Sequence, residues 1–106
     1  MRQPETKSEP SRIEIDAMTQ PVLLEFGASW CSHCRATQPL IASAMAEHPE
    51  VLHLKIEDGK GRRLGRTFGV KLWPTLVLMY QGQEIVRLVR PDSVHAIRTA
   101  LSLIDT

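Results

Sequence analysis

A chain of 106 residues, 42% of them hydrophobic, has room for one globular domain with one core and is too short for two. Thirteen Lys and Arg against twelve Asp and Glu leave a formal charge of +1, which excludes the electrostatic footprint of a nucleic-acid binder or of a protein held on an anionic membrane. The two cysteines share one motif and leave no further pair for a structural disulfide framework, so the core must hold without staples.

Residues 1–10 are polar, carry Pro4 and Pro10, and have no aliphatic side chain beyond Met1, so they read as a flexible tail ahead of a domain spanning 11–106. They hold no apolar signal segment, and no later run reaches membrane-spanning length; the expectation is a cytoplasmic protein with no membrane partner. Ser11 can cap a short helix carrying Ile13, Ala17 and Met18, although the alternation of Ile13 and Ile15 leaves a strand open. Val22-Leu23-Leu24-Glu25-Phe26 is a nearly continuous apolar run, as in a strand covered on both faces of a parallel sheet, and its single charge is anomalous.

Gly27-Ala28-Ser29 turns the chain into Trp30-Cys31-Ser32-His33-Cys34. Thiols three positions apart share a helix face, with Cβ atoms roughly 5 to 6 Å apart, close to what a disulfide requires. The pair can therefore open and close. At a helix N-terminus the unpaired N–H groups and the macrodipole favour an anion, which makes Cys31 the more readily ionised thiol. The helical pattern runs to Glu47 with Leu40, Ile41, Ala44 and Met45 on one stripe; Pro39 should kink it and His48-Pro49 end it.

Val51 to Ile56 alternates as a second strand, and strand, helix, strand over this distance makes a parallel, right-handed crossover. Residues 58–69 hold four glycines, with Leu64 and Phe68 at helical spacing, and read as a short helix in a loop. The basic cluster Lys60, Arg62, Arg63 and Arg66 reads as a solvated loop, and His53 and His95 as structural or surface residues. Thr75 to Tyr80 and Glu84 to Val89 form an antiparallel hairpin around Gln81-Gly82. After Pro91, Asp92 or Ser93 caps a last helix whose stripe of Val94, Ile97, Leu101 and Ile104 should pack on one sheet face while the Pro39 helix covers the other.

A Cys-x-x-Cys beside a strand-helix-strand unit is a redox signature, and residues 21–104 as a whole resemble the thioredoxin family. The resemblance rests on Glu25 in the central strand, the Trp30-Cys31 junction, Pro39, the Trp73-Pro74-Thr75 tripeptide before a strand, the Gln81-Gly82 hairpin and the closing helix. It implies an α/β thioredoxin-like fold, a mixed sheet of about four strands with helices on both faces, the family's first strand being missing or much shortened. It also implies a cis Trp73–Pro74 bond, with Pro74 facing the cysteines and the Trp73 backbone bonding an extended substrate segment.

The implied activity is that of a monomeric thiol:disulfide oxidoreductase on protein disulfides or dithiols, exchanging electrons with a reductase or glutathione. It needs no cofactor beyond a Cys31–Cys34 disulfide. Cys31 would attack, Cys34 resolve, and Glu25, its pKa raised by burial, would take the Cys34 proton; Trp30 and Pro74 would shape the rim. Between the cysteines stand Ser32-His33 where thioredoxins proper have Gly-Pro, and an imidazole near Cys31 would stabilise thiolate, predicting a more oxidising couple than in thioredoxin proper. Further departures are Glu25 for the family's Asp, Gly27 for a frequent aromatic, and Arg90 about where the loop before the last helix usually has a Gly. The competing expectation is a non-catalytic interaction or metal-binding module on the same fold, although no second Cys/His pair stands at a metal-like spacing, and no metal is expected.

Overall fold

The computed structural model describes residues 9–105. Its elements are α1 (Arg12–Asp16), β1 (Val22–Gly27), α2 (Ser32–Met45), β2 (Leu52–Glu57), α3 (Leu64–Thr67), β3 (Thr75–Tyr80), β4 (Gln83–Val89) and α4 (Val94–Ile104). The four strands form one sheet in the order β2-β1-β3-β4. β1 runs parallel to β2 and antiparallel to β3, and β3 pairs antiparallel with β4. Burying β1 and β3 in the middle explains their nearly continuous apolar runs, since both faces of each are covered. The segment after Ser11 is a helix: the Ser11 hydroxyl accepts from the Glu14 N–H while the Glu14 carboxylate accepts from the Ser11 N–H.

Side-chain alternation divides the core in two. Leu23, Leu76 and Leu78 face Ile41 and Ala44 of α2 and Ile97, Leu101 and Ile104 of α4. Val22, Leu24, Phe26, Val77 and Met79 face Ile15 of α1 and Leu64 and Phe68 at α3. The two long helices therefore share one face, whereas the sequence reading put them on opposite faces. A stripe at helical spacing shows that a helix has an apolar face, not which side of the sheet receives it. Here the second face is closed by two short helices whose few apolar residues are large.

Two residues of the expected tail are folded. Residues 1–8 lie outside the described residues, but Glu9 and Pro10 are half-buried and belong to the folded body. The Glu9 carboxylate accepts the N–H groups of Arg63 (2.8 Å) and Leu64 (3.0 Å), supplying the cap that α3 lacks locally. Smaller shifts move the start of β2 from Val51 to Leu52 and that of β4 from Glu84 to Gln83. The β3–β4 turn puts Gln81 at φ 51° and Gly82 at φ 77°, the left-handed pair that a two-residue hairpin with right-twisted strands needs. α2 runs through Pro39 as one helix. No helix among the described residues is long and apolar enough to cross a membrane.

Candidate functional site

Where β1 ends, Gly27 and the following turn deliver Cys31 as the N-cap of α2, in extended conformation. Its sulfur accepts the Cys34 N–H at 3.2 Å, taking the place a Ser or Asp oxygen fills in an ordinary cap. Both cysteines are free thiols, each 7% exposed. Burial works against the Cys31 thiolate, but the hydrogen bond from the Cys34 thiol, those from the backbone N–H groups of Cys34 and His33, and the charge of Arg90 outweigh it, so its pKa lies below the ordinary thiol value. Burial pushes Cys34 the other way, to about 11, helped by its bond to Cys31 and by the charges of Cys31 and Glu25. The two thiols thus have opposite tendencies. Gly27 leaves room for the Cys34 sulfur in this position, since a Cβ there would lie 2.7 Å from it and the thiol would have to shift.

Glu25 lies on the α2 side of β1, in step with Leu23, and is 4% exposed. Register sets its neighbours: Lys55 is its β2 partner and His53 partners Leu23, so both project toward the same face. The His53 Nε2 lies 2.7 Å from Glu25 Oε1, and the Gln38 amide of α2 donates to Oε2. Burial alone would raise the Glu25 pKa, as the sequence reading expected. The hydrogen bonds from His53 and Gln38, with the charges of His53 and Lys55, outweigh it and bring the pKa below the ordinary carboxylate value. Glu25, Gly27, Cys34, Gln38 and Lys55 line a cleft of about 280 Å³ that opens beside α2.

On the other side of Cys31 lies the Trp73-Pro74-Thr75 loop, whose Trp73–Pro74 peptide is cis. Trp73 packs against the cluster of Ala28, Cys31 and Cys34. Its indole meets Trp30 edge-on, with ring centroids 5.3 Å apart, and donates to Asp58 at 2.9 Å. Trp30 itself is 69% exposed. Pro74 and Thr75 are buried, and the Thr75 hydroxyl donates to the Leu72 carbonyl. The structure therefore gathers Cys31, Cys34, Trp30 and Trp73 at one point, with Glu25 sharing the cleft behind Cys34. Ser32 and His33 are exposed, and what His33 gives to the Cys31 sulfur is its backbone N–H.

Three participants escaped the sequence reading: His53, Gln38 and Asp58. Gln38, four residues beyond Cys34, was the most accessible of them, since helical spacing puts it on the same face. Among the described residues no group of three or more His, Cys, Asp or Glu side chains converges as a metal site.

The family model described as Thioredoxin matches residues 5–102. The chain belongs to the thioredoxin family. Its fold is that of solved thioredoxins: thioredoxin 2 from Pseudomonas aeruginosa PAO1, in its reduced form, is 50% identical with a TM-score of 0.83, the match covering 92% of this chain and 90% of that one. The thioredoxin of Chlamydia muridarum is 38% identical over 68 residues, 64% of this chain and 67% of its own length. Thioredoxin H2 of Arabidopsis thaliana is 30% identical over 98 residues, covering 79% and 74%. The chain spans about half the length of two other relatives, 54% of thioredoxin H2-1 from Oryza sativa subsp. japonica and 47% of thioredoxin C-3 from Corynebacterium nephridii.

Proposed function

We propose that this thioredoxin-family chain is a thiol:disulfide oxidoreductase that reduces protein disulfides through Cys31 and Cys34. The observation that carries the reading is the placement of the pair: Cys31 caps α2, its sulfur accepting the Cys34 backbone N–H at 3.2 Å, while Cys34 is buried behind it, so that the Cys31 pKa falls below the ordinary thiol value and that of Cys34 rises to about 11. The Cys31 thiolate attacks one sulfur of the substrate disulfide, forming a mixed disulfide and releasing the other sulfur as a thiolate. Cys34, as thiolate, then attacks the Cys31 sulfur, closing the Cys31–Cys34 disulfide and releasing the second substrate thiolate. Two electrons pass from the dithiol to the substrate, and the released thiolates take up protons. A reductase or glutathione returns the electrons; the sulfur pair is the only redox carrier needed.

The environment of Cys34 gives the sequence of steps its order. Its pKa is held up partly by the hydrogen bond and charge of Cys31. Both vanish once the Cys31 sulfur is bonded to substrate, so Cys34 becomes more acidic only when its thiolate is needed. Glu25, ionised at neutral pH, accepts the proton through water in the shared cleft. Substrate lies along the Trp73 backbone, with Trp30 and Pro74 as the apolar rim.

A finer reading concerns poise. A lowered Cys31 pKa stabilises the reduced form, which raises the reduction potential; with Ser32-His33 between the cysteines, we place the couple above thioredoxin proper. Measuring the potential against glutathione decides that point: equality with thioredoxin would remove it without touching the reaction. The reaction itself is tested with insulin reduction driven by dithiothreitol. The wild type should turn over, and Glu25→Gln should slow and accumulate the Cys31 mixed disulfide in quenched samples. Unchanged single-turnover kinetics in Glu25→Gln would remove the proton-acceptor role, and no turnover in the wild type would remove the function.

A further inference from the structure

The rim of the dithiol carries a cation that the chemistry above does not consume. Arg90 has φ of 51°, a left-handed backbone uncommon for any residue with a side chain. Glycine is the residue that takes this conformation without penalty, yet this position carries a guanidinium. Such outliers persist only where their surroundings hold them, and they concentrate at functional sites.

Two hydrogen bonds hold Arg90. The Arg90 N–H donates to the Pro74 carbonyl at 2.9 Å, and the Arg90 Nε donates to the Trp73 carbonyl at 2.8 Å. Both acceptors belong to the loop beside Cys31, and the charge of Arg90 reaches the Cys31 sulfur. Of the guanidinium, only Nε is engaged among the described residues. The two Nη groups form the outer end of an exposed side chain, and among the described residues Arg90 makes no ion pair. The Trp73 carbonyl has a second lone pair, so Arg90 can sit on it without displacing a substrate N–H.

We propose that Arg90 is a specificity-determining residue, its Nη groups binding the carboxylate of an Asp or Glu next to the attacked cysteine in an extended substrate segment. An extended segment advances about 3.3 Å per residue, so a side chain one or two positions from a cysteine engaged at Cys31 lies over this loop. A planar fork with parallel N–H groups matches a carboxylate in a way a lysine does not. The inference rests on the oxidoreductase reading and goes beyond it, since it names the class of disulfide selected: one flanked by acid.

The test uses the full chain, reduced, against three peptides that differ only beside the disulfide, carrying Glu, Gln or Lys. Second-order rates in the wild type should rank Glu, then Gln, then Lys, with Glu over Gln by about two- to fivefold, the span of an exposed ion pair. The ratio should shrink toward one as salt is raised. In Arg90→Gly, which suits the left-handed backbone, the Glu-over-Gln ratio should fall to about one, and in Arg90→Lys it should be intermediate. Because each protein supplies its own ratio, any change in Cys31 nucleophilicity cancels. Equal wild-type rates for Glu and Gln, or a ratio kept in Arg90→Gly, would overturn this proposal alone. Failure to reduce any of the three would overturn the oxidoreductase reading with it.

Discussion

The two faces of the sheet are built from the same strands and do different work. The face under α1 and α3 holds an apolar cluster with no buried charge among the described residues, with Phe26 against Phe68 at 5.7 Å between ring centroids. The face under α2 and α4 is equally dry along Leu23, Leu76 and Leu78, yet at the next β1 position on that side it buries Glu25 with His53 and Gln38. One residue of the alternation separates the two outcomes. A buried carboxylate is costly unless bonded, and it stands where the cleft joins it to Cys34. Both faces carry an apolar core, and among the described residues only one of them admits a buried charge, at the end where β1 hands the chain to the dithiol.

The largest effect should come from the apolar face. Phe26→Ala removes a fully buried ring and should cost about 3–5 kcal/mol in chemical denaturation. The reactivity of Cys31 in the fraction that remains folded should persist. A loss of Cys31 reactivity without a loss of stability would mean that the faces are not separable. A middle-sized effect belongs to the other face: Glu25→Gln should lower stability by about 1–2 kcal/mol at pH 7, from charge-assisted bonds weakened to neutral ones. Because the folded pKa of Glu25 lies below its ordinary 4.5, its contribution is complete above that value and is lost as pH falls through the folded value. The deficit of Glu25→Gln should therefore close in acid, and denaturation curves at pH 7 and pH 3 that keep the same gap would contradict the assignment. The smallest effect is expected from Gln38→Ala, about 1 kcal/mol. Carbon NMR should show the Glu25 titration moving upward, since burial is then less opposed; a downward move would mean that Gln38 is not its donor.

Much of this is legible in the sequence. The strands β1 and β3 announce themselves as short apolar runs, the α4 stripe needs only helical spacing, and Cys31, Cys34, Trp73 and Pro74 stand in a recognisable order. The parts that were not readable depend on which elements become neighbours. His53 lies 28 residues from Glu25, and only the β1–β2 register sets it diagonally beside that carboxylate. Burial by itself pointed the Glu25 pKa upward; the donors that reverse it come from two other elements. Asp58 reaches the Trp73 indole across the α3 loop, a contact that no local pattern encodes. Placing α2 and α4 on one face likewise depends on how two short helices fill the other, and propensity says nothing about that.

The central claim is that two thiols three residues apart are driven in opposite directions. Alkylation of the reduced protein across pH, with the modified cysteine identified by mass spectrometry, tests it directly. Cys31 alone should react near neutral pH, its profile turning below the ordinary 9.0, while Cys34 stays unmodified until the pH approaches about 11. Equal profiles for both cysteines, or earlier modification of Cys34, would contradict the account.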